Sequence, residues 1–166
     1  MNTLPIRKHP RLKNYDYSQN GCYFVTICVA DFSVKLSDVI EENENEKPSV
    51  ILTETGMTVE KYILSIPDNY NTVSVDKYII LPNHIHLLLS FDNTGGGMRS
   101  SRPTENTNPQ LHNTVRAFKR MVTQETGKTI FQDSFYDEVI KNEEHYLQVW
   151  QYIESNAQKW IQKHSG

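Results

Sequence analysis

Thr72-Val73-Ser74-Val75-Asp76-Lys77-Tyr78-Ile79-Ile80-Leu81-Pro82-Asn83-His84-Ile85-His86-Leu87-Leu88-Leu89-Ser90-Phe91 decides the fold. It holds two strand-like runs, Thr72 to Leu81 and His84 to Phe91, with only Pro82-Asn83 between them. Proline and asparagine favour a tight connection, so the pair is expected to form a hairpin. Alternate side chains of a strand share a face, so His84 and His86 point one way while Ile85 faces the core.

Upstream, Cys22 to Ala30 reads CYFVTICVA, a run of β-branched and aromatic residues that predicts a buried strand. The acidic stretch Asp38 to Glu46 reads as a solvated loop, and Ser49 to Leu52 as a short strand. Thr53 or Thr55 can cap a helix through Met57, Val59, Tyr62, Ile63 and Ile66, which Pro67 stops. Downstream, residues 93–108 are polar, with Gly95-Gly96-Gly97 and Pro103, and predict a flexible loop or one ordered by a ligand. Pro109 fits the first turn of a helix with Leu111, Val115, Phe118 and Met121/Val122 on one face. Thr129 to Ile140 reads as extended, and Asn142 caps one long final helix, about Glu143 to Gln162. Strand, helix, strand pair, helix, strand, helix is the order of an α+β, ferredoxin-like fold. A four-stranded antiparallel sheet carries helices on one face, with the C-terminal helix added.

A chain of 166 residues fits one compact domain over 1–166 with a core that needs no disulfides. Cys22 and Cys28 lie too far apart along one strand to bridge each other, so reduced thiols in a cytoplasmic protein are expected. No apolar run approaches the length of a membrane span, and the polar, basic start carries no signal-peptide core. The net charge of −3 argues mildly against nucleic acid. The distribution softens that objection, because acid concentrates between Asp38 and Glu46. Positive charge gathers in the arm at residues 1–20 (Arg7, Lys8, Arg11, Lys13) and at Arg99, Arg102, Arg116, Lys119 and Arg120.

Two imidazoles about 7 Å apart at Cα can converge on one divalent cation. Six histidines in a chain of this length make His-x-His a common accident, so spacing alone decides nothing. The final helix has a core stripe of Tyr146, Val149/Trp150, Ile153, Ala157 and Trp160/Ile161. Beside it runs Gln148, Tyr152, Asn156 at i, i+4 spacing, a half-exposed flank. Tyr152 can present its hydroxyl outward, and Asn156 offers a carbonyl oxygen as a third ligand for a hard ion. The plainer reading is that Tyr152 is one of nine tyrosines and edges the core. Taken together, a cation held by two histidines and an amide would offset phosphodiester charge and ease deprotonation of a tyrosine nucleophile. Tyr136 is a rival nucleophile that could equally pack in the sheet or stack on a base. His112 reads as a solvated histidine, and His145 as a further candidate to approach a metal. Arg7, Lys8, Arg11 and Lys13, with Tyr15 and Tyr17 beside them, suit phosphate contact and base stacking or else form a solvated arm.

His84-Ile85-His86 after Val75 to Asn83 resembles the His-hydrophobic-His core of the HUH nucleases, and more closely the REP-associated tyrosine transposases and their insertion-sequence relatives. Arg11 to Tyr17 and Gly21 to Ile27 resemble the family's opening, and Ser134 to Glu144 its segment before the catalytic helix. Tyr152-Ile153-Glu154-Ser155-Asn156-Ala157-Gln158-Lys159-Trp160 is similar to its Tyr-Ile-x-x-Asn-Pro-x-Lys stretch. The resemblance implies His84 and His86 as metal ligands, Tyr152 as nucleophile and Asn156 as third ligand. It implies Mg²⁺ or Mn²⁺ as cofactor, hairpin-forming single-stranded DNA as partner, and a 5′-phosphotyrosine intermediate. DNA contacts are expected from Arg7, Lys8, Arg11, Lys13, Tyr15, Arg116, Lys119 and Arg120. Ala157 departs from the family's proline and is expected to leave the helix uninterrupted. The family leaves open an apparent monomer and a homodimer in which one subunit's helix completes the other's site. Three competing readings are a catalytically silent hairpin-DNA binder, an HUH replication initiator or relaxase-like nickase, and a zinc hydrolase that would need another ligand and no Tyr152.

Overall fold

The computed structural model describes residues 21–92 and 109–164. The expected basic arm at 1–20 and loop at 93–108 lie outside the described residues. The four-stranded sheet contains β1 (Cys22–Cys28), β4 (Val73–Ile80), β5 (His84–Phe91) and β6 (Tyr136–Val139). Its order is β4-β5-β1-β6, and every neighbouring pair is antiparallel. Between β1 and β4 come the ribbon β2 (Ser37–Ile40) and β3 (Ser49–Leu52), then α1 (Glu54–Leu64) and the short α2 (Ile66–Asn69). Helix α3 (Pro109–Thr126) follows β5; α4 (Glu143–Glu154) and α5 (Asn156–His164) follow β6. This is the ferredoxin-like α+β plan, with the last two helices as an addition.

Alternation sorts the sheet into two faces. Val25, Ile27 and Val29 of the first strand region join Ile85, Leu87, Leu89 and Phe91 of β5 in the larger core. Against them pack Val59 and Ile63 of α1 and Leu111, Val115, Phe118 and Val122 of α3. The opposite face buries Cys22 and Leu88 against Ile140 and against Tyr146, Val149 and Ile153 of α4. The helix that carries Tyr152 therefore covers the face to which the even-numbered residues of β5 point.

Local chemistry accounts for the boundaries. Thr53 caps α1, its hydroxyl accepting from the Gly56 N–H at 3.0 Å. A Cβ at Gly56 would collide with the Leu36 backbone carbonyl, so only glycine lets the helix lie this close to the entry of β2. Asn142 caps α4 through the His145 N–H at 2.8 Å, with Glu143 and Glu144 in the first turn. Gly127, at φ 77, closes α3 by donating to the Thr123 carbonyl.

Four expectations are corrected. The acidic stretch is not loop throughout: Ser37–Ile40 is a strand, paired with Ser49–Leu52 across the loop that separates them. Pro67 does not stop the chain's helical course outright, because it sits in the first turn of α2, where its missing N–H is harmless. Residues 129–135 are not a continuous strand. Phe131 makes one bridge to Val29, and the Lys119 ammonium then gathers the carbonyls of Gln132, Asp133 and Ser134 at 2.7, 3.0 and 3.2 Å, curling the segment. The final helix is broken at Ser155 without a proline. The Tyr152 carbonyl accepts from the Ser155 hydroxyl and the Asn156 amide at 3.3 and 3.2 Å, so side chains compete for the bond a continuous helix would use.

A bulge in β4, between Val75 and Lys77, puts two consecutive residues, Asp76 and Lys77, on the face covered by α4. The Asp76 carboxylate accepts from the Tyr146 hydroxyl at 2.7 Å and the Ser90 hydroxyl at 2.6 Å, tying α4 to two strands. Tyr146→Phe is expected to lower stability by about 1.5–3 kcal/mol, the usual worth of a hydrogen bond to a charged group. Urea unfolding should show a lower midpoint at unchanged slope; an unchanged midpoint would mean that this bond does not anchor the helix.

Candidate active site

His84 and His86 lie on β5, with ring centroids 4.7 Å apart in an edge-to-face arrangement. Both Nδ1 atoms are engaged. His84 Nδ1 meets Asn83 Oδ1 at 2.7 Å, and His86 Nδ1 meets Thr26 Oγ1 at 2.9 Å, reached because Thr26 pairs with His86 across β1 and β5. His86 is 5% exposed, and among the described residues its buried Nε2 has no hydrogen-bond partner. Leaving a buried polar atom unpaired typically costs about 1–3 kcal/mol, so the atom calls for a ligand.

Both rings are held neutral. Burial pushes His84 below its ordinary value, helped by the charge of Lys163. Burial, and secondarily His84, pushes His86 down to about 3. A neutral imidazole whose Nδ1–H is donated to a fixed acceptor presents a bare lone pair at Nε2, the form that ligates a divalent cation. The donor set therefore fits a metal on two nitrogens. No three His, Cys, Asp or Glu side chains among the described residues could hold a metal together, so these two imidazoles would need a ligand of another kind.

Tyr152 stands on the same side of the sheet, in the last turn of α4 and 40% exposed. Its ring centroid lies 5.6 Å from that of His86 and 5.8 Å from that of Phe24, which itself packs 5.1 Å from His86. Asn156 opens α5 and is 6% exposed, more buried than the half-exposed flank expected from the helical spacing. Its Nδ2 donates to the Tyr152 carbonyl, which leaves Oδ1 as the atom available to an ion. Trp160 closes the far side, 6.1 Å from His84, and Lys159 lies over the Tyr152 ring with Nζ 4.4 Å from its centroid.

The other candidates fall elsewhere. Arg116, Lys119 and Arg120 are on α3, across the sheet from the histidine pair; with His112 and Phe135 they line a groove of ≈ 390 Å³. Lys119 is occupied by the three carbonyls, whereas Arg116 and Arg120 are exposed. His112 packs on Phe135. His145 does not approach the pair, since its Nδ1 accepts from the Lys141 N–H and its Nε2 faces Glu138 at 3.3 Å. Tyr136 is 68% exposed on edge strand β6, opposite Thr26 and hence on the histidine face, one strand beyond it. Arg7, Lys8, Arg11, Lys13 and Tyr15, like Arg99 and Arg102, lie outside the described residues. Sequence reasoning gave no role to Thr26, Phe24 or Lys159, although all three stand within the matched stretches Gly21 to Ile27 and Tyr152 to Trp160. Register makes neighbours of the first two, and Lys159 is two helical turns from Tyr152, a spacing that could have flagged it.

No family model matches the chain. A protein of Haemophilus influenzae (strain ATCC 51907 / DSM 11121 / KW20 / Rd), described only as an uncharacterized protein, is 28% identical over 169 residues, covering 94% of this chain and 91% of that protein. A solved structure of a REP-associated tyrosine transposase bound to a REP hairpin matches with a TM-score of 0.56 and 18% identity, over 85% of this chain and 68% of that one. The likeness establishes a shared fold.

The neutral histidines make stability depend on pH. His86 has a folded value near 3 against an ordinary 6.5, so its contribution is complete above about pH 6.5 and lost as pH falls toward 3. In chelator, urea unfolding between pH 7 and pH 4 should show a loss on the order of 3 kcal/mol. His86→Gln is expected to flatten that dependence; an equally steep slope in the variant would assign it to other groups.

Proposed function

We propose that this chain is a metal-dependent, single-tyrosine DNA nuclease and strand-transferase, a transposase-like enzyme acting through a 5′-phosphotyrosine. One observation carries the reading: a half-exposed tyrosine lies 5.6 Å, ring to ring, from a buried imidazole whose Nε2 lacks any partner among the described residues. The shared fold with a transposase that binds a hairpin adds support.

His84 Nε2, His86 Nε2 and Asn156 Oδ1 would hold Mg²⁺ or Mn²⁺. When bound, the ion supplies positive charge that offsets the phosphodiester and favours the ionised phenol. Thr26 and Asn83 fix both rings by their Nδ1 atoms, so the nitrogens are set before any ligand arrives. Phe24 packs beside His86 and Trp160 beside His84. Tyr152 Oη attacks the phosphorus, an Oη–P bond forms, and the bond from phosphorus to the 3′ oxygen breaks. The departing 3′ oxygen ends as a hydroxyl, balancing the proton lost by the phenol. A 3′-hydroxyl on another strand reverses the same exchange, so the product is a transferred strand.

The substrate in this reading is single-stranded DNA beside a hairpin. Arg116 and Arg120, with the arm residues Arg7, Lys8, Arg11, Lys13 and Tyr15, would grip its backbone and bases. Lys119 would add charge to that surface from a position fixed by its carbonyls. Among the described residues no helix is long and apolar enough to cross a membrane. The enzyme is proposed to act on DNA in the cytoplasm. Tyr152 and His86 meet within one chain, so catalysis in cis needs no exchanged helix, and a homodimer would serve binding.

Labelled hairpin DNA with a single-stranded flank, incubated with the protein and Mn²⁺, should yield a covalent adduct on a denaturing gel. Tyr152→Phe and His84→Ala are expected to reduce it below detection, and Tyr136→Phe to leave it within about twofold. An adduct that survives Tyr152→Phe would falsify the assignment. Tight binding with no adduct would identify a silent hairpin binder.

A further inference from the structure

Lys159 stands in an unusual electrostatic position. Its ammonium lies over the face of the Tyr152 ring, 4.4 Å from the centroid, while the side chain remains exposed. One turn further along α5, at i+4 from Lys159, Lys163 is also exposed. Neither lysine has a carboxylate partner among the described residues, and the nearby Glu154 is paired with Lys77 at 3.5 Å. In a chain with net charge −3, two unneutralised ammoniums thus lie one turn apart on α5, the first of them on the Tyr152 ring. The attraction of a ring face for a cation is modest at an exposed site and does not account for a second lysine on the same side of the helix.

Resting on the reading of Tyr152 as nucleophile, we propose that Lys159 is a catalytic residue that binds a non-bridging oxygen of the phosphate Tyr152 attacks. Lys163 receives the next phosphate along α5. An ammonium above the phenol ring is within side-chain reach of oxygens on a phosphorus bonded to Oη, where a charge-assisted hydrogen bond needs about 2.8 Å. As the Oη–P bond forms and the bond to the 3′ oxygen breaks, negative charge shifts around the phosphoryl oxygens. A cation already in place stabilises that charge without reorganising solvent. Lysine suits the task because it acts as a point charge on a flexible stem and can follow the oxygen through the exchange. The i, i+4 spacing of Lys159 and Lys163 sets the two charges on one side of α5, giving a strand a defined track along that helix from Tyr152.

The test compares Lys159→Met, which keeps the apolar stem over the ring, with Lys159→Arg, which keeps the charge. Single-turnover adduct formation is measured with Mn²⁺ on hairpin DNA whose cleaved bond has been mapped from the native adduct. The same DNA is then made with a methylphosphonate at that bond. Lys159→Met is expected to slow reaction at the ordinary diester by roughly 10- to 100-fold, and Lys159→Arg by only a few fold. On the methylphosphonate, which lacks the charged oxygen, the Lys159→Met penalty should vanish. Without metal, in EDTA, the salt dependence of single-strand binding by Lys159→Met should be shallower by about 0.7, the loss of one phosphate contact.

A native rate for Lys159→Met on the diester overturns the proposal. So does an equal penalty on both substrates, which would reduce Lys159 to positioning the ring, or an unchanged salt slope. If the unaltered protein forms no adduct at all, the nuclease reading itself falls, and this inference with it.

Discussion

Burial of β5 on both faces is the constraint on which the rest depends. From Ile85 to Phe91 every residue of the strand is inside the protein. Such a strand needs a cover on each side, and two different layers supply it. Helices α1 and α3 close one face with a broad aliphatic core, whereas α4 closes the other with a smaller cluster around Tyr146, Val149 and Ile153. His86 is carried into the second layer by alternation alone, because Ile85 and Leu87 must face the first. The site is thus a by-product of how the sheet is sealed. Helix α4 cannot dock to seal it without bringing Tyr152 to the histidines.

Desolvation then sets the chemical character of the pair. An imidazole in water gains and loses a proton near neutral pH, whereas His86 stays uncharged far into the acid range. Its Nδ1 is fixed by Thr26, and its other nitrogen has only the site to face. Phe24 contributes twice, stacking near His86 and meeting the Tyr152 ring edge-on, so one side chain sets the distance between them. The polar anchor at Asp76 complements this apolar contact at the other end of α4. Orientation of the tyrosine therefore depends on a hydrogen bond and an aromatic contact on the same helix, three residues either side of Val149.

Much of this was legible from local pattern. Pro82-Asn83 between two aliphatic runs marked the hairpin, and the Thr53 and Asn142 caps marked two helix starts, because those signals act over a few residues. Alternation alone sent the histidines to one face. What escaped was set by pairing between distant segments. The strand Ser37–Ile40 lies hidden in an acidic stretch and exists because Ser49–Leu52 is there to receive it. The curl after Phe131 depends on one ammonium from α3. Thr26 becomes a partner of His86 only through register. The break at Ser155 was missed for another reason: proline was the expected cause, whereas a serine and an asparagine side chain together achieve it.

The bulge at Asp76 has an effect beyond holding a helix. Among the described residues β4 forms one border of the sheet, and a border strand's rim of outward amides and carbonyls is the kind of template onto which a stray extended peptide can zip. One supernumerary residue throws that rim out of step midway, so no foreign segment can hydrogen-bond along its full length. At the other border β6 is only four residues long, with Asp137 and Glu138 in its middle. The same irregularity that anchors the helix thereby also guards against uncontrolled self-association.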